Sequence, residues 1–172
     1  LLSDVGDKLD TLQFAYKRNR SVDDAKAVML HRILEHLETP GTYVHILFAD
    51  FSSAFNTMKP STLAMKLSDM GVSTLLCKWI LDYLRGRIQR VRVGTSTFSE
   101  PVTTYIGAPQ GCVLSPVLFT IYTDSHRGRE PHSLNSKYAD DAALVGLIKD
   151  NDESHYRASV EDFASVCKTD GL

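Results

Sequence analysis

Two aspartates stand side by side between two apolar runs in Ser136-Lys-Tyr-Ala-Asp-Asp-Ala-Ala-Leu-Val-Gly146. The link between the runs is too short for anything but a tight turn, so the stretch predicts an antiparallel hairpin with paired carboxylates at its bend. A second segment, Tyr43-Val-His-Ile-Leu-Phe-Ala-Asp50, is β-branched and apolar without a helical period, and it predicts a buried strand that also ends on an aspartate. If that strand neighbours the hairpin, Asp50, Asp140 and Asp141 converge at one edge of a sheet.

Helices account for most of the rest. Ser21-Val-Asp-Asp24 has the spacing of a capping box, and Ala25, Val28, Met29, Ile33 and Leu37 follow at helical intervals until Thr39-Pro40-Gly41. Pro60 opens a helix that Gly71 closes, and another runs from about Thr74 to Leu84, before Gly86. Ile88, Val91 and Val93 alternate with polar neighbours, and an extended run over residues 97–106 follows the Gly94 turn, which predicts an antiparallel pair. Ser115-Pro116 reads as an N-cap and first-turn proline, and the stretch from Glu153 to Cys167 as a last amphipathic helix. The order predicts an α+β fold, an antiparallel sheet covered by helices.

Composition narrows the setting. The longest apolar runs fall well short of the roughly 18 residues that cross a bilayer, so no membrane partner is expected. Three widely spaced cysteines suggest neither a disulfide framework nor a zinc site, and they fit a reduced intracellular compartment, nucleus or cytoplasm. The first residues lack both an initiator methionine and the pattern of a targeting signal, so the chain reads as a piece of a longer one. A net charge of −2 gives no global case for nucleic acid. Locally the balance differs, because Lys78, Arg85, Arg87, Arg90 and Arg92 face a single acid, Asp82, along one stretch. A solvated face is the plain alternative for such a run.

The carboxylates point to chemistry. Hard divalent cations take oxygen ligands and commonly bind one or two carboxylates together with substrate phosphates. Adjacent acids repel, so a third aspartate beside the pair is costly without a cation or solvent to offset it. The dipeptide alone proves little. Asp23-Asp24 is the same pair in the first turn of a helix, where the macrodipole favours acids and no ligand is needed.

The surrounding motifs carry more. Ala-Asp-Phe-Ser-Ser-Ala-Phe-Asn-Thr (49–57), Gly-Ala-Pro-Gln-Gly-Cys-Val-Leu-Ser-Pro-Val-Leu-Phe (107–119) and Lys-Tyr-Ala-Asp-Asp (137–141) resemble, in this order and spacing, successive palm motifs of reverse transcriptases. The nearest resemblance is to the LINE-like, non-long-terminal-repeat retrotransposon branch, and Gln13 to Ala25 resembles the fingers segment that precedes the palm there. Asn56 stands where that branch usually has aspartate, and Ala15 where it often has glycine.

The resemblance implies a right-hand polymerase palm with part of the fingers, about 1–42 fingers-like and about 43–172 palm, cut short at both ends. It implies an RNA-directed DNA polymerase whose partners are an RNA template, a DNA primer, a deoxynucleoside triphosphate and the remaining segments of a longer polyprotein. By resemblance, Asp50, Asp140 and Asp141 hold two Mg²⁺ ions, for which Mn²⁺ could substitute. Phe51, Ser52, Ser53 and Ala54 lie where backbone amides meet the triphosphate, Phe55 where an aromatic ring screens the sugar, and Gln110 and Gly111 beside the incoming nucleotide. Arg85, Arg87, Arg90 and Arg92 fall in a region near template or primer. Because further fingers, palm and thumb parts would lie beyond both ends, little turnover is expected of this chain alone. Two other readings keep the acidic cluster: a degenerate, non-enzymatic remnant or nucleic-acid-binding module, and a palm-related nucleotide cyclase. The cyclase leaves the Gly-Ala-Pro-Gln-Gly loop unexplained.

Overall fold

Local rules set the elements, and a computed structural model describes residues 1, 5–51, 53–128 and 132–172. After a 3₁₀ turn at Gly6–Lys8 come α1 (Val22–Leu37), β1 (Thr42–Asp50), α2 (Ala54–Thr57), α3 (Pro60–Asp69), α4 (Thr74–Leu84), β2 (Arg87–Gln89) and β3 (Arg92–Val93). Then follow β4 (Thr97–Phe98), β5 (Val102–Thr104), α5 (Leu114–Tyr122), β6 (Ser133–Tyr138), β7 (Asp141–Lys149) and α6 (Ser154–Asp170). The chain forms two compact units, Leu9–Ser52 with Thr123–Leu172, and Leu1–Lys8 with Ser53–Tyr122.

The first unit is built on a sheet of order β1-β7-β6. β1 and β7 run antiparallel in unbroken register from Thr42↔Lys149 to Asp50↔Asp141, and β6 pairs the other edge of β7 from Ser133↔Gly146 to Tyr138↔Asp141. β7 is therefore central, and Ala142, Leu144, Val145 and Ile148 are buried. α6 lies against the face of Gly146, where a Cβ would come within 2.4 Å of the Tyr156 ring; only glycine lets helix and strand approach this closely. α1 crosses the opposite face, starting at the expected capping box: the Asp24 carboxylate accepts from the Ser21 amide at 2.7 Å while Ser21 Oγ accepts from the Asp24 amide at 3.2 Å.

The outer edge of β6 is covered. The Lys137 amide donates to Leu12 O and the Phe14 amide donates to Lys137 O, both at 2.9 Å, so the chain at 12–14 adds one short parallel rung. Lys137 itself turns inward, 2% exposed, with Nζ 2.8 Å from Asp10 Oδ2 and 3.2 Å from Thr123 O. Burial pushes its amine below the ordinary lysine value, against the pull of Asp10. Asp124 accepts from the Asp10 amide at 2.7 Å, which extends the buried polar group.

β1 departs from expectation. The apolar run predicts a strand buried on both faces, but β1 is an edge of the described sheet and Phe48 is 72% exposed. Composition reports what a strand could bury, whereas its neighbours decide what it does bury.

In the second unit α3 packs on α4 and α5 around Met58, Leu63, Leu67, Ile80, Leu84, Leu118 and Phe119, all buried. Pro60 is the first residue of α3, and the Ser73 hydroxyl caps α4 through the Leu76 amide. Ser115 is not the expected N-cap: α5 begins at Leu114, and Ser115 Oγ donates to Pro109 O at 2.5 Å, binding the loop before the helix. The expected antiparallel pair is two short ladders, β2 with β5 and β3 with β4. They are interrupted near Pro101, which has no N–H to give a ladder, while the Ser99 amide and hydroxyl hold Val91 at 2.8 and 2.9 Å. Among the described residues, no helix is long and apolar enough to cross a membrane.

Candidate active site

Asp50, Asp140 and Asp141 all lie in the sheet unit. Strand pairing places Asp50 directly opposite Asp141, and opposed residues in an antiparallel pair point to the same face with Cβ atoms roughly 5 Å apart. Asp140 occupies the two-residue bend after Ala139, whose φ of +58° is in the left-handed region. A β-carbon there is strained, which marks the bend as held by its surroundings. One such hold is the Phe51 amide, which donates to Asp140 O at 3.2 Å and ties the end of β1 to the bend. Among the described residues the carboxylates of Asp50, Asp140 and Asp141 take no hydrogen-bond or ion-pair partner.

Beside them, between α1 and the sheet, opens a cleft of about 420 Å³ whose lining includes Met29, Phe48, Asp50, Tyr138, Asp141 and Ala143. Tyr16 stands close to Asp140. Its phenol is pushed above its ordinary value by burial first and then by Asp140 and Tyr138. Sequence reasoning did not single Tyr16 out; the available signal was its place in the fingers-like segment. In the same segment the Arg20 guanidinium lies over the Phe14 ring, 5.6 Å from its centroid.

Phe51 is buried, and its ring packs 5.7 Å from His126 and 5.9 Å from Phe163, so that side chain belongs to the core and only its backbone faces elsewhere. Ser52 lies outside the described residues.

The other singled-out residues lie in the second unit. Ser53 precedes α2 with φ +59°, Ala54 is buried, and the half-buried Phe55 ring packs 5.2 Å from Phe119. The Gly107 loop is stitched to this turn: the Gly107 amide donates to Met58 O at 2.7 Å and the Ala108 amide to Phe55 O at 2.6 Å. A Cβ on Gly107 would meet Phe55 O at 2.7 Å and Asn56 Cα at 2.9 Å, so the approach, together with φ +75°, requires glycine. Gln110 Nε2 donates to Asn56 Oδ1 at 3.4 Å, which brings the loop's amide to the position where aspartate was expected. Cys112, next to Gly111, is opposed by burial, yet hydrogen bonds with Ser115 and Tyr83 lower its thiol to about 7.

The four arginines differ. Arg87 turns inward and donates to the carbonyls of Leu84 and Ile106, the latter at 3.2 Å, which spends its guanidinium on the end of α4. Arg92 Nε donates to Gly94 O at 3.0 Å. Arg85 and Arg90 are exposed, with no ion-pair partner among the described residues.

Comparison with known proteins identifies the family and the fold. The model of the family described as "Reverse transcriptase (RNA-dependent DNA polymerase)" matches residues 1–172. Two solved telomerase structures share the architecture. One is apo telomerase from Candida tropicalis truncated from its C-terminal domain, at TM-score 0.64 and 12% identity over 92% of this chain and 34% of that one. The other is telomerase from Candida albicans in complex with a TWJ fragment of telomeric RNA, at TM-score 0.67 and 14% identity over 99% of this chain and 32% of that one. The fold is thus that of a right-hand polymerase, with mixed helices and an antiparallel sheet. The chain belongs to the reverse transcriptase family. Among curated proteins it is similar to a probable RNA-directed DNA polymerase from transposon BS of Drosophila melanogaster, 27% identical over 143 residues, and it spans 15% of that relative's length.

Reverse transcriptase domains generally use divalent metal ions. Among the described residues no three His, Cys, Asp or Glu side chains converge as a ready-made cage. The donor set still fits a hard cation, because exposed, opposed carboxylates supply hard oxygens and such ions draw their remaining ligands from phosphates and water.

Proposed function

We propose that this chain is the central part of a retrotransposon RNA-directed DNA polymerase of the LINE-like branch, with residues about 1–42 contributing to the fingers and about 43–172 to the palm. One observation carries the reading: Asp50 and Asp141 are opposed in register beside Asp140, and among the described residues their carboxylates have no partner. Opposed carboxylates beside a third repel one another unless solvent or a cation offsets the charge, and a divalent cation does so while using their oxygens as ligands.

In this reading Asp50, Asp140 and Asp141 hold two Mg²⁺ ions. Those ions supply Lewis acidity and charge neutralisation for in-line attack of a primer 3′-hydroxyl on the α-phosphate of a deoxynucleoside triphosphate. The backbone of residues 51–54 receives the triphosphate, and the Phe55 ring excludes a ribose 2′-hydroxyl by contact. Gln110 and Gly111 border the nucleotide from the loop that Gly107 fixes. Arg85, Arg90 and Arg92 neutralise phosphates of the RNA template or DNA primer, while Arg87 holds the end of α4. The acting protein is a longer polyprotein in the nucleus or cytoplasm, where three unpaired cysteines are compatible with reduction.

Primer extension on an RNA template, by the longer protein containing this chain, tests the reading. Extension should require a divalent metal and be abolished by Asp140→Asn; extension that survives this substitution would overturn the assignment.

A further inference from the structure

The segment between Arg85 and Ile106 is unlike the rest of the molecule. β2 with β5 and β3 with β4 form a two-stranded ribbon, and every residue from Ile88 to Thr103 is exposed. Large apolar side chains stand in water along it, among them Val91 at 66%, Phe98 at 54% and Tyr105 at 66%. A two-stranded ribbon is marginal alone, and several large apolar side chains left exposed along one segment point to a binding region. Its charge says what binds: four arginines and one acid, Glu100, occupy the segment. An uncharged protein surface would leave the arginines uncompensated, whereas a polyanion with flat apolar faces matches both features.

We propose that the ribbon is an arm for single-stranded nucleic acid, in which Phe98 and Tyr105 stack on unpaired bases while Arg90 and Arg92 hold the neighbouring phosphates. The inference rests on the polymerase reading and adds to it a strand preference and two stacking residues. Arg92 is the register partner of Phe98, which puts a guanidinium and a ring on one face, as binding a base and its phosphate requires. Bases in a duplex present edges rather than faces, so stacking residues favour the unpaired strand.

The chain has one tryptophan, Trp79, so an optical probe can be moved onto the ribbon by combining Trp79→Phe with Phe98→Trp. Indole fluorescence is followed while a mixed-sequence single-stranded oligonucleotide, RNA or DNA, or a duplex of the same length is added; anisotropy of a labelled oligonucleotide measures affinity separately. The expected result is saturable quenching by the single strand and little by the duplex. Phe98→Ala and Tyr105→Ala should each weaken single-strand affinity by between about fivefold and a hundredfold. Arg90→Ala with Arg92→Ala should flatten its salt dependence. Binding without quenching, at an affinity that Phe98→Ala leaves unchanged, overturns the arm while nucleic-acid binding stands. Equal affinity for duplex overturns the strand preference. No binding of either by this chain overturns the arm, while the polymerase reading stands or falls on primer extension by the longer protein, and self-association abolished by Phe98→Ala would make the ribbon a protein interface instead.

Discussion

Asp23-Asp24 at the head of α1 and Asp140-Asp141 at the tip of the β6–β7 hairpin are the same dipeptide in two surroundings. At the helix, Asp24 accepts from the Ser21 amide and from the Ser21 hydroxyl at 2.8 Å, and Asp23 lies 3.7 Å from Lys26. These acids complete a capping box and face a favourable dipole, so folding satisfies them. At the hairpin, described residues give the carboxylates no donor, and strand register adds a third beside them. Identical sequence thus serves structure in one place and leaves unmet ligand capacity in the other. The lesson is that a carboxylate's use is read from its partners and not from its neighbours in sequence.

The comparison breaks most readily at the base of the hairpin. Lys137 immediately precedes Tyr138, and its charge is buried against Asp10. Lys137→Met should cost roughly 3–5 kcal/mol of unfolding free energy, because Asp10 is left buried and uncompensated. Denaturant titration measures this, and adding Asp10→Leu should recover most of the loss. A single variant as stable as the parent would show that the pair does not anchor the strand. The helix doublet carries less. Ser21→Ala removes the cap and should cost about 1 kcal/mol in the same titration.

The smallest effect is one of pH. The Ser21 hydroxyl, and then its amide, hold the Asp24 carboxyl below the ordinary carboxylate value. A depressed folded pKa gives a contribution fully present above the unfolded value and lost as pH falls through the folded one. Asp24→Asn should therefore lower stability slightly at neutral pH and leave it nearly unchanged at acid pH, so that the acid-side decline shrinks. A loss as large at acid pH as at neutral pH would count against this, since the substitution would then act through something other than the charge of the carboxylate.

Much of this was legible in sequence where the determinants are local. The capping box, the hairpin and the strand ending on Asp50 follow from short patterns, although of the two aspartates expected at the bend only Asp140 lies in it and Asp141 opens β7. Residues meeting from distant parts of the chain were not legible. Lys137 reads as a polar strand residue until the chain brings Asp10 beneath it. Tyr16 acquires meaning only next to Asp140, and Arg87 reads like its neighbouring arginines until the carbonyls of Leu84 and Ile106 are in reach. The exposed face of β1 was missed for the same reason, since burial belongs to the assembled sheet. Gly107 lies between these cases: a loop glycine is expected, but the contact with Phe55 and Asn56 that makes it necessary appears only in three dimensions.

The most direct test of the central claim, that the hairpin doublet with Asp50 is a metal site and the helix doublet is not, is Mn²⁺ titration of this chain followed by water-proton relaxation in the presence of a deoxynucleoside triphosphate. Asp50→Asn and Asp140→Asn should each lower Mn²⁺ affinity by about tenfold or more, as expected when a charged ligand is lost, with Asp23→Asn leaving it unchanged. Affinity untouched by Asp50→Asn and Asp140→Asn, or reduced equally by Asp23→Asn, would contradict the account.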